Sequence, residues 1–207
     1  MPVAELAIPG AHNVSNALAA IAVALLFGVG PDAIRSAAAA FEGVEHRLEP
    51  VALIDGVRFI NDSQGTQPDA VAAALRAFDP PIVLIAGGRA KGLEIDALAP
   101  VVAERVVAAV LIGESGPDLE ASFRAAGLAR TERAADLETA VRRADAIARE
   151  ALAARRRGGG PGAGPATVLL SPAAASFDMF ADYAARGRAF KAAVATLGAE
   201  RARGGER

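Results

Sequence analysis

Apolar positions along this chain follow two alternating rhythms. From Asn13 to Phe27 an alanine-rich stretch is apolar on most faces of a helix and ends at Gly28-Val29-Gly30; Pro31-Asp32 then opens a second helix to about Phe41. Leu48 to Ile54 and Val57 to Ile60 are short β-like runs around Asp55-Gly56, a favoured two-residue turn pair, and predict a hairpin. The pattern then predicts a helix over Pro68 to Phe78, a strand over Ile82 to Ala86, a helix over Glu94 to Val102, a strand over Val107 to Ile112 and a helix over Pro117 to Ala126. A weak strand near Ala129 to Glu132, a helix over Leu137 to Ala154, a strand over Thr167 to Leu170 and a final helix from about Ser176 to Leu197 complete it. Such alternation implies an α/β fold with right-handed crossovers and a mostly parallel sheet covered on both faces. The hairpin adds an antiparallel edge.

Four polar clusters follow strands: Asn61 to Thr66, Gly87-Gly88-Arg89-Ala90-Lys91, Gly113-Glu114-Ser115, and Ser171 to Ser176. Parallel strands put all four on one rim, where strand ends and helix N-termini present unpaired backbone donors to a ligand. Any single cluster is also what an ordinary strand-to-helix connection looks like; four together favour a site. Asp62 can accept two ribose hydroxyls, hold a water, or cap the following helix. Lys91 is one of only two lysines among 22 basic residues, and its compact ammonium suits either a carboxylate or phosphate in a tight pocket, or open solvent.

Composition narrows the classes. The 53% hydrophobic fraction owes much to alanine, and the longest apolar run, Ala17 to Phe27, is 11 residues, short of the ~20 that a membrane-spanning helix needs. Met1 to Glu5 has neither a basic nor an apolar leader region, so the expectation is a soluble, cytoplasmic protein with no membrane partner. A net charge of −2, one Tyr and no Trp leave neither a positive field nor stacking surfaces for nucleic acid. No cysteine and two histidines, His12 and His46, exclude thiolate chemistry and a histidine-rich metal site. No G-x-x-x-x-G-K-[ST] loop occurs, so nothing in the chain cradles a triphosphate. Ser171 and Ser176 lack a histidine at fixed spacing, which disfavours a serine hydrolase. Arg155-Arg156-Arg157 and the Gly-rich stretch to Pro165 read as a solvated helix end and a mobile loop.

Several motifs together resemble the Mur ligases, ATP-dependent enzymes that add amino acids to the peptidoglycan precursor. They are Gly10-Ala11-His12-Asn13-Val14-Ser15-Asn16-Ala17, Phe41 to Glu49, Asn61-Asp62-Ser63, Gly87-Gly88-x-x-Lys91, and Leu170-Ser171-Pro172-Ala173-x-x-Ser176-Phe177-Asp178-x-Phe180. They cover the chain nearly end to end and occur in family order. Asn-Asp-Ser in the second loop is similar to the D-glutamate-adding branch.

The resemblance implies residues 1–45 as the tail of the central ATPase domain and 46–207 as a Rossmann-like three-layer C-terminal domain. The N-terminal domain, most of the ATPase, the phosphate loop and the magnesium ligands are then expected to lie outside the chain, a partner chain that carries them being one alternative. It implies ATP and magnesium as cofactors, with Asn13 and Asn16 near adenine, Arg47 near phosphates or ribose, and Asp62 on the ribose. For D-glutamate it implies Thr66, Lys91, Ser176, Phe177 and Tyr183, with Ser176 opening a helix whose N–H groups favour an anion. As aromatics at helical spacing, Phe177 and Tyr183 read equally as core. Gln64 departs from the family, many members having lysine there, and is assigned no direct role. The implied reaction is attack of the D-glutamate amine on an acyl phosphate, giving an amide, ADP and phosphate. Alternatives are a non-catalytic nucleotide- or amino-acid-binding module, or a ligase for another amino acid. The leading helices are expected to expose apolar faces.

Overall fold

The computed structural model describes residues 2–89, 95–157 and 164–205. Six strands form one sheet in the order β1-β2-β6-β3-β4-β5: β1 (Glu49–Ile54), β2 (Val57–Asn61), β3 (Ile82–Gly87), β4 (Ala108–Ile112), β5 (Thr131–Arg133) and β6 (Ala166–Leu170). β1 runs antiparallel to β2 at the edge, and every other pairing is parallel. Asp55 and Gly56 close the hairpin with φ of 49° and 85°, both left-handed as a type I′ turn requires.

Successive side chains of each strand enter opposite layers, because the strand repeat is two residues. Ile60, Leu84, Leu111 and Leu169 pack in the core that includes α3 (Pro68–Arg76), α4 (Ala99–Arg105) and α5 (Gly116–Ala125). Phe59, Val83, Ile85, Val110 and Val168 pack in the core shared with α6 (Leu137–Arg157) and α7 (Tyr183–Gly205). All residues of β3, β4 and β6 are buried, which is why these strands read as nearly continuous apolar runs, broken only by the buried Thr167 in β6. Each Leu, Ile or Phe so buried contributes about 1.5–3 kcal/mol.

Two helix starts differ from the sequence pattern. α4 begins at Ala99 with Pro100 in its first turn, the one helical position where a missing N–H costs nothing; Glu94, the expected start, lies outside the described residues. α7 begins at Tyr183, not Ser176. Met179 and Phe180 N–H groups both donate to the Ser176 carbonyl in a single turn, and Asp182 Oδ1 accepts the Ala185 N–H at 2.6 Å as the cap. Ser176 therefore opens no helix. β5 sits about two residues beyond its expected place, and α6 continues through Arg157. Arg155 then reaches the Pro80 carbonyl at 3.0 Å. Residues 158–163 of the Gly-rich stretch lie outside the described residues.

Ahead of the sheet, α1 (Ala11–Leu26) and α2 (Pro31–Ala40) pack on each other, and the only buried residue of α1 is Asn13. Leu26 is 87% and Phe27 84% exposed, so the leading helices do present apolar faces. Among the described residues no helix is long and apolar enough to cross a membrane.

Candidate functional site

The loops after β2, β3, β4 and β6 meet on one rim. Asp62 N–H donates to the Leu170 carbonyl at 2.8 Å, extending the ladder one residue past β2, and Gly87 N–H does the same to Pro172. Ala173 N–H reaches Gly65 O at 2.9 Å, while Arg89 and Ala175 exchange backbone bonds of 2.8 and 3.2 Å. Ser115 N–H donates to Gly88 O at 2.8 Å. Asp62, Thr66 and Ser176 are thereby carried on adjoining loops, as the strand order requires. Lys91 lies outside the described residues, two positions after Arg89.

Arg186, on the first turn of α7, lies beneath this rim with 1% of its surface exposed. Its guanidinium donates to Ser63 Oγ at 3.0 Å, Ser63 O at 2.9 Å and Ala174 O at 3.2 Å, and reaches Gly87 O at 3.5 Å. Three loops thus share one cation. Ser63 Oγ in turn donates to Tyr183 O at 2.7 Å. Burial pushes the Arg186 pKa down to about 10, against the opposing charge of Asp178, so the group stays charged at neutral pH. Sequence reading missed Arg186 because it sits between alanines and Arg188. Its register with the buried Phe190, Val194 and Leu197, at spacings of four and three, was the available signal.

Asp62 is 5% exposed and turned inward. Its Oδ1 accepts the Leu48 N–H at 3.1 Å and its Oδ2 accepts the Ser171 hydroxyl at 2.7 Å. Burial raises its pKa to about 6 despite these donors and the nearby Arg47. A carboxyl whose folded pKa lies above its ordinary value favours folding while protonated. That contribution is complete below pH ~4 and is lost as pH rises through about 6. Relative to Asp62→Asn, which keeps the acceptor for Leu48 and places its amide on Ser171, the unsubstituted chain should lose about 2–3 kcal/mol of unfolding free energy between pH 4 and pH 7. Urea unfolding of both proteins across that range measures it; parallel profiles would refute the assignment.

A cavity of about 580 Å³ lies between α1, α2 and the segment before β1. Asn13, Asn16 and Arg47 line it with Ile8, Ile21 and Phe41, among other apolar side chains. Asn13 donates to Pro9 O at 2.7 Å and accepts from the Asn16 amide at 3.3 Å. Apolar walls with a few convergent polar groups suit a purine, and the volume is that of a small-ligand pocket. The same does not hold for magnesium. Among the described residues the one acidic and histidine cluster, Glu45, His46 and Glu49, has the Lys191 ammonium on both carboxylates at 2.6 and 3.0 Å.

Phe177 is 62% and Tyr183 41% exposed, so neither is core. Phe177 stands on the irregular segment, which also removes the helical spacing between them. Gln64 is exposed, and its N–H donates to His46 O at 3.0 Å. His46, buried at φ 65°, accepts from the Asn61 amide at 2.9 Å, and that amide also donates to Glu49 Oε2 at 2.8 Å. Asn61 and His46 therefore fix the segment carrying Arg47 to the end of β2.

The fold is a three-layer α/β domain with a mixed sheet and an interlocked rim of strand-end loops, beside a cavity of small-ligand size. The model for the Mur ligase glutamate ligase domain matches residues 46–157, and the chain belongs to the Mur ligase family. The UDP-N-acetylmuramoylalanine–D-glutamate ligase of Symbiobacterium thermophilum is 46% identical over 93% of this chain and 40% of the relative. The enzyme of that name from Gloeobacter violaceus is 44% identical over 95% of this chain and 42% of the relative. The chain thus spans about two fifths of the length of these relatives and corresponds to the C-terminal portion of a Mur ligase. Mycobacterium tuberculosis folylpolyglutamate synthase, solved with ADP, shares the fold at a TM-score of 0.68, 19% identity, 91% of this chain and 41% of that one. Thermotoga maritima UDP-N-acetylmuramate-alanine ligase does so at 0.63, 20% identity, 93% and 40%.

Proposed function

We propose that this chain is the amino-acid-presenting portion of an ATP-dependent ligase that adds D-glutamate to UDP-N-acetylmuramoyl-L-alanine. Residues 1–45 belong to the end of an ATPase domain and 46–207 to the C-terminal domain. Asn13, Asn16 and Arg47 contact the nucleotide, and Asp62, although buried, keeps lone pairs for the ribose beyond those that Leu48 and Ser171 use; Thr66, Lys91, Ser176, Phe177 and Tyr183 contact D-glutamate. The observation that carries this reading is the joining of both groups at Asp62. It accepts from Leu48 next to Arg47 on the cavity side, and from Ser171 on the loop that leads to Ser176.

When bound, ATP supplies the phosphoryl group that activates the acceptor carboxylate, with magnesium held by residues outside this chain. The residues here orient the amine. Hydroxyls of Thr66 and Ser176 and the Lys91 ammonium hold the two carboxylates of D-glutamate, leaving its nitrogen lone pair aimed at the acyl carbon. Attack forms the C–N bond, phosphate departs with the C–O electron pair, and the amine proton passes to solvent.

Charge-assisted hydrogen bonds contribute about 1.5–3 kcal/mol each, against an association cost of about 4–15 kcal/mol. Three or four such contacts give an affinity near millimolar, roughly −4 kcal/mol. NMR titration of the chain should show D-glutamate shifting Thr66 and Ser176 in that range and L-glutamate doing so more weakly. ADP should shift Asn13, Asn16 and Arg47. Nanomolar affinity, or equal response to both enantiomers, would refute the reading, and so would ligation by this chain alone.

A further inference from the structure

After β6 the chain does not turn straight into α7; it crosses the sheet rim. Ala173 is bonded to Gly65 at the β2 tip, Pro172 and Ala175 to Gly87 and Arg89 at the β3 tip, and Asp178 to the β4 tip. That last contact is made by a side chain: Asp178 Oδ2 accepts the Glu114 N–H at 2.9 Å. A Cβ at Gly113 would stand 2.3 Å from the same oxygen, so the approach needs glycine there, at φ 70°. Asp178 also supplies the opposing charge that Arg186 feels beneath the rim.

Ser176 thus lies between two ties, the Arg89–Ala175 bridge before it and the Asp178–Glu114 clamp after it. No helix runs through 176–182; Ser176, 3% exposed, is held by the single turn in which its carbonyl accepts the Met179 and Phe180 N–H groups. Asp178 lies inside that turn, so the place of the turn, and of Ser176 with it, is set by what anchors the segment on either side. We propose that Asp178 is a positioning residue for the amino-acid substrate: by fastening the segment after β6 to the β4 tip it holds Ser176 where a substrate carboxylate is received. Asp178 itself does not touch substrate. The proposal rests on Ser176 being a D-glutamate contact.

The test is NMR titration of the whole chain with D-glutamate and, separately, with ADP. Asp178→Ala should weaken D-glutamate binding about tenfold, the loss of one charge-assisted hydrogen bond's worth of order. ADP binding, which depends on the cavity lined by Asn13, Asn16 and Arg47, should stay within about twofold. Asp178→Asn, which keeps an acceptor for the Glu114 N–H, should recover most of the D-glutamate affinity. An Asp178→Ala chain that binds D-glutamate as the unsubstituted chain does would overturn the proposal. Parallel loss of ADP binding, or failure of this variant to fold, would overturn it too, since the residue would then serve the whole domain. No D-glutamate response in the unsubstituted chain would instead remove the reading of the site, and the proposal with it.

Discussion

Replacing Arg186 with methionine should lower the unfolding free energy by about 3 kcal/mol and loosen three loops at once. Two effects oppose each other. A buried guanidinium pays for its lost hydration, as its lowered pKa records, and an apolar side chain of similar length escapes that cost. Methionine, however, leaves Ser63 O and Ala174 O without their donor and Ser63 Oγ without its second partner. Each buried acceptor so stranded costs about 1–3 kcal/mol, and together they outweigh the relief. Lysine should not rescue, because one ammonium cannot span carbonyls on separate loops as a planar fork does. Urea denaturation gives the magnitude. Hydrogen exchange supplies the signature, faster amides at 62–66, 87–89 and 173–175 together. A loss below about 1 kcal/mol, or deprotection of one loop only, would show that Arg186 does not join them.

Gly88→Ala should cost about 3–5 kcal/mol and abolish the D-glutamate response. Gly88 has φ 140°, and a Cβ there would lie 2.1 Å from the Ala175 carbonyl oxygen. Backbone faces backbone, so no rotamer relieves the clash; the segment bearing Ser176 must move and the adjoining Arg89–Ala175 bridge must open. Gly30→Ala is the control. Gly30 has φ −65° and nothing within 4 Å of the added carbon, so the change there should stay under about 1 kcal/mol. Comparable losses at the two glycines would mean that the rim is softer than its contacts imply.

Much of this molecule is legible in its sequence. The hairpin followed from Asp55-Gly56 between two apolar runs, and the parallel core from the nearly continuous apolar runs of β3, β4 and β6. The strand-end loops followed from polar residues placed just after those strands. Less legible was the segment after β6. Phe177, Phe180 and Tyr183 mimic a helical repeat, and only Asp182, which caps α7, delays the helix to Tyr183. Local pattern could not weigh that cap against the backbone bonds that Ala173 and Ala175 make to loops about 110 and 85 residues earlier. Arg186 was hidden for a related reason. Hydrophobic patterning treats an arginine as surface, and its burial here depends on carbonyls that only the folded rim brings together.

By itself, then, the sequence determined the alternation of elements, the side of the sheet each residue faces, and the edge on which the polar loops gather. These depend on periods of two and 3.6 residues and on turn chemistry within a few positions. Tertiary structure alone decided that Asp62 turns inward to Leu48 and Ser171, that one buried cation holds three loops, and that Ser176 stands on a segment fastened at both ends. Each of these needs donors and acceptors far apart in the chain to meet where water is excluded, and no local periodicity encodes that meeting.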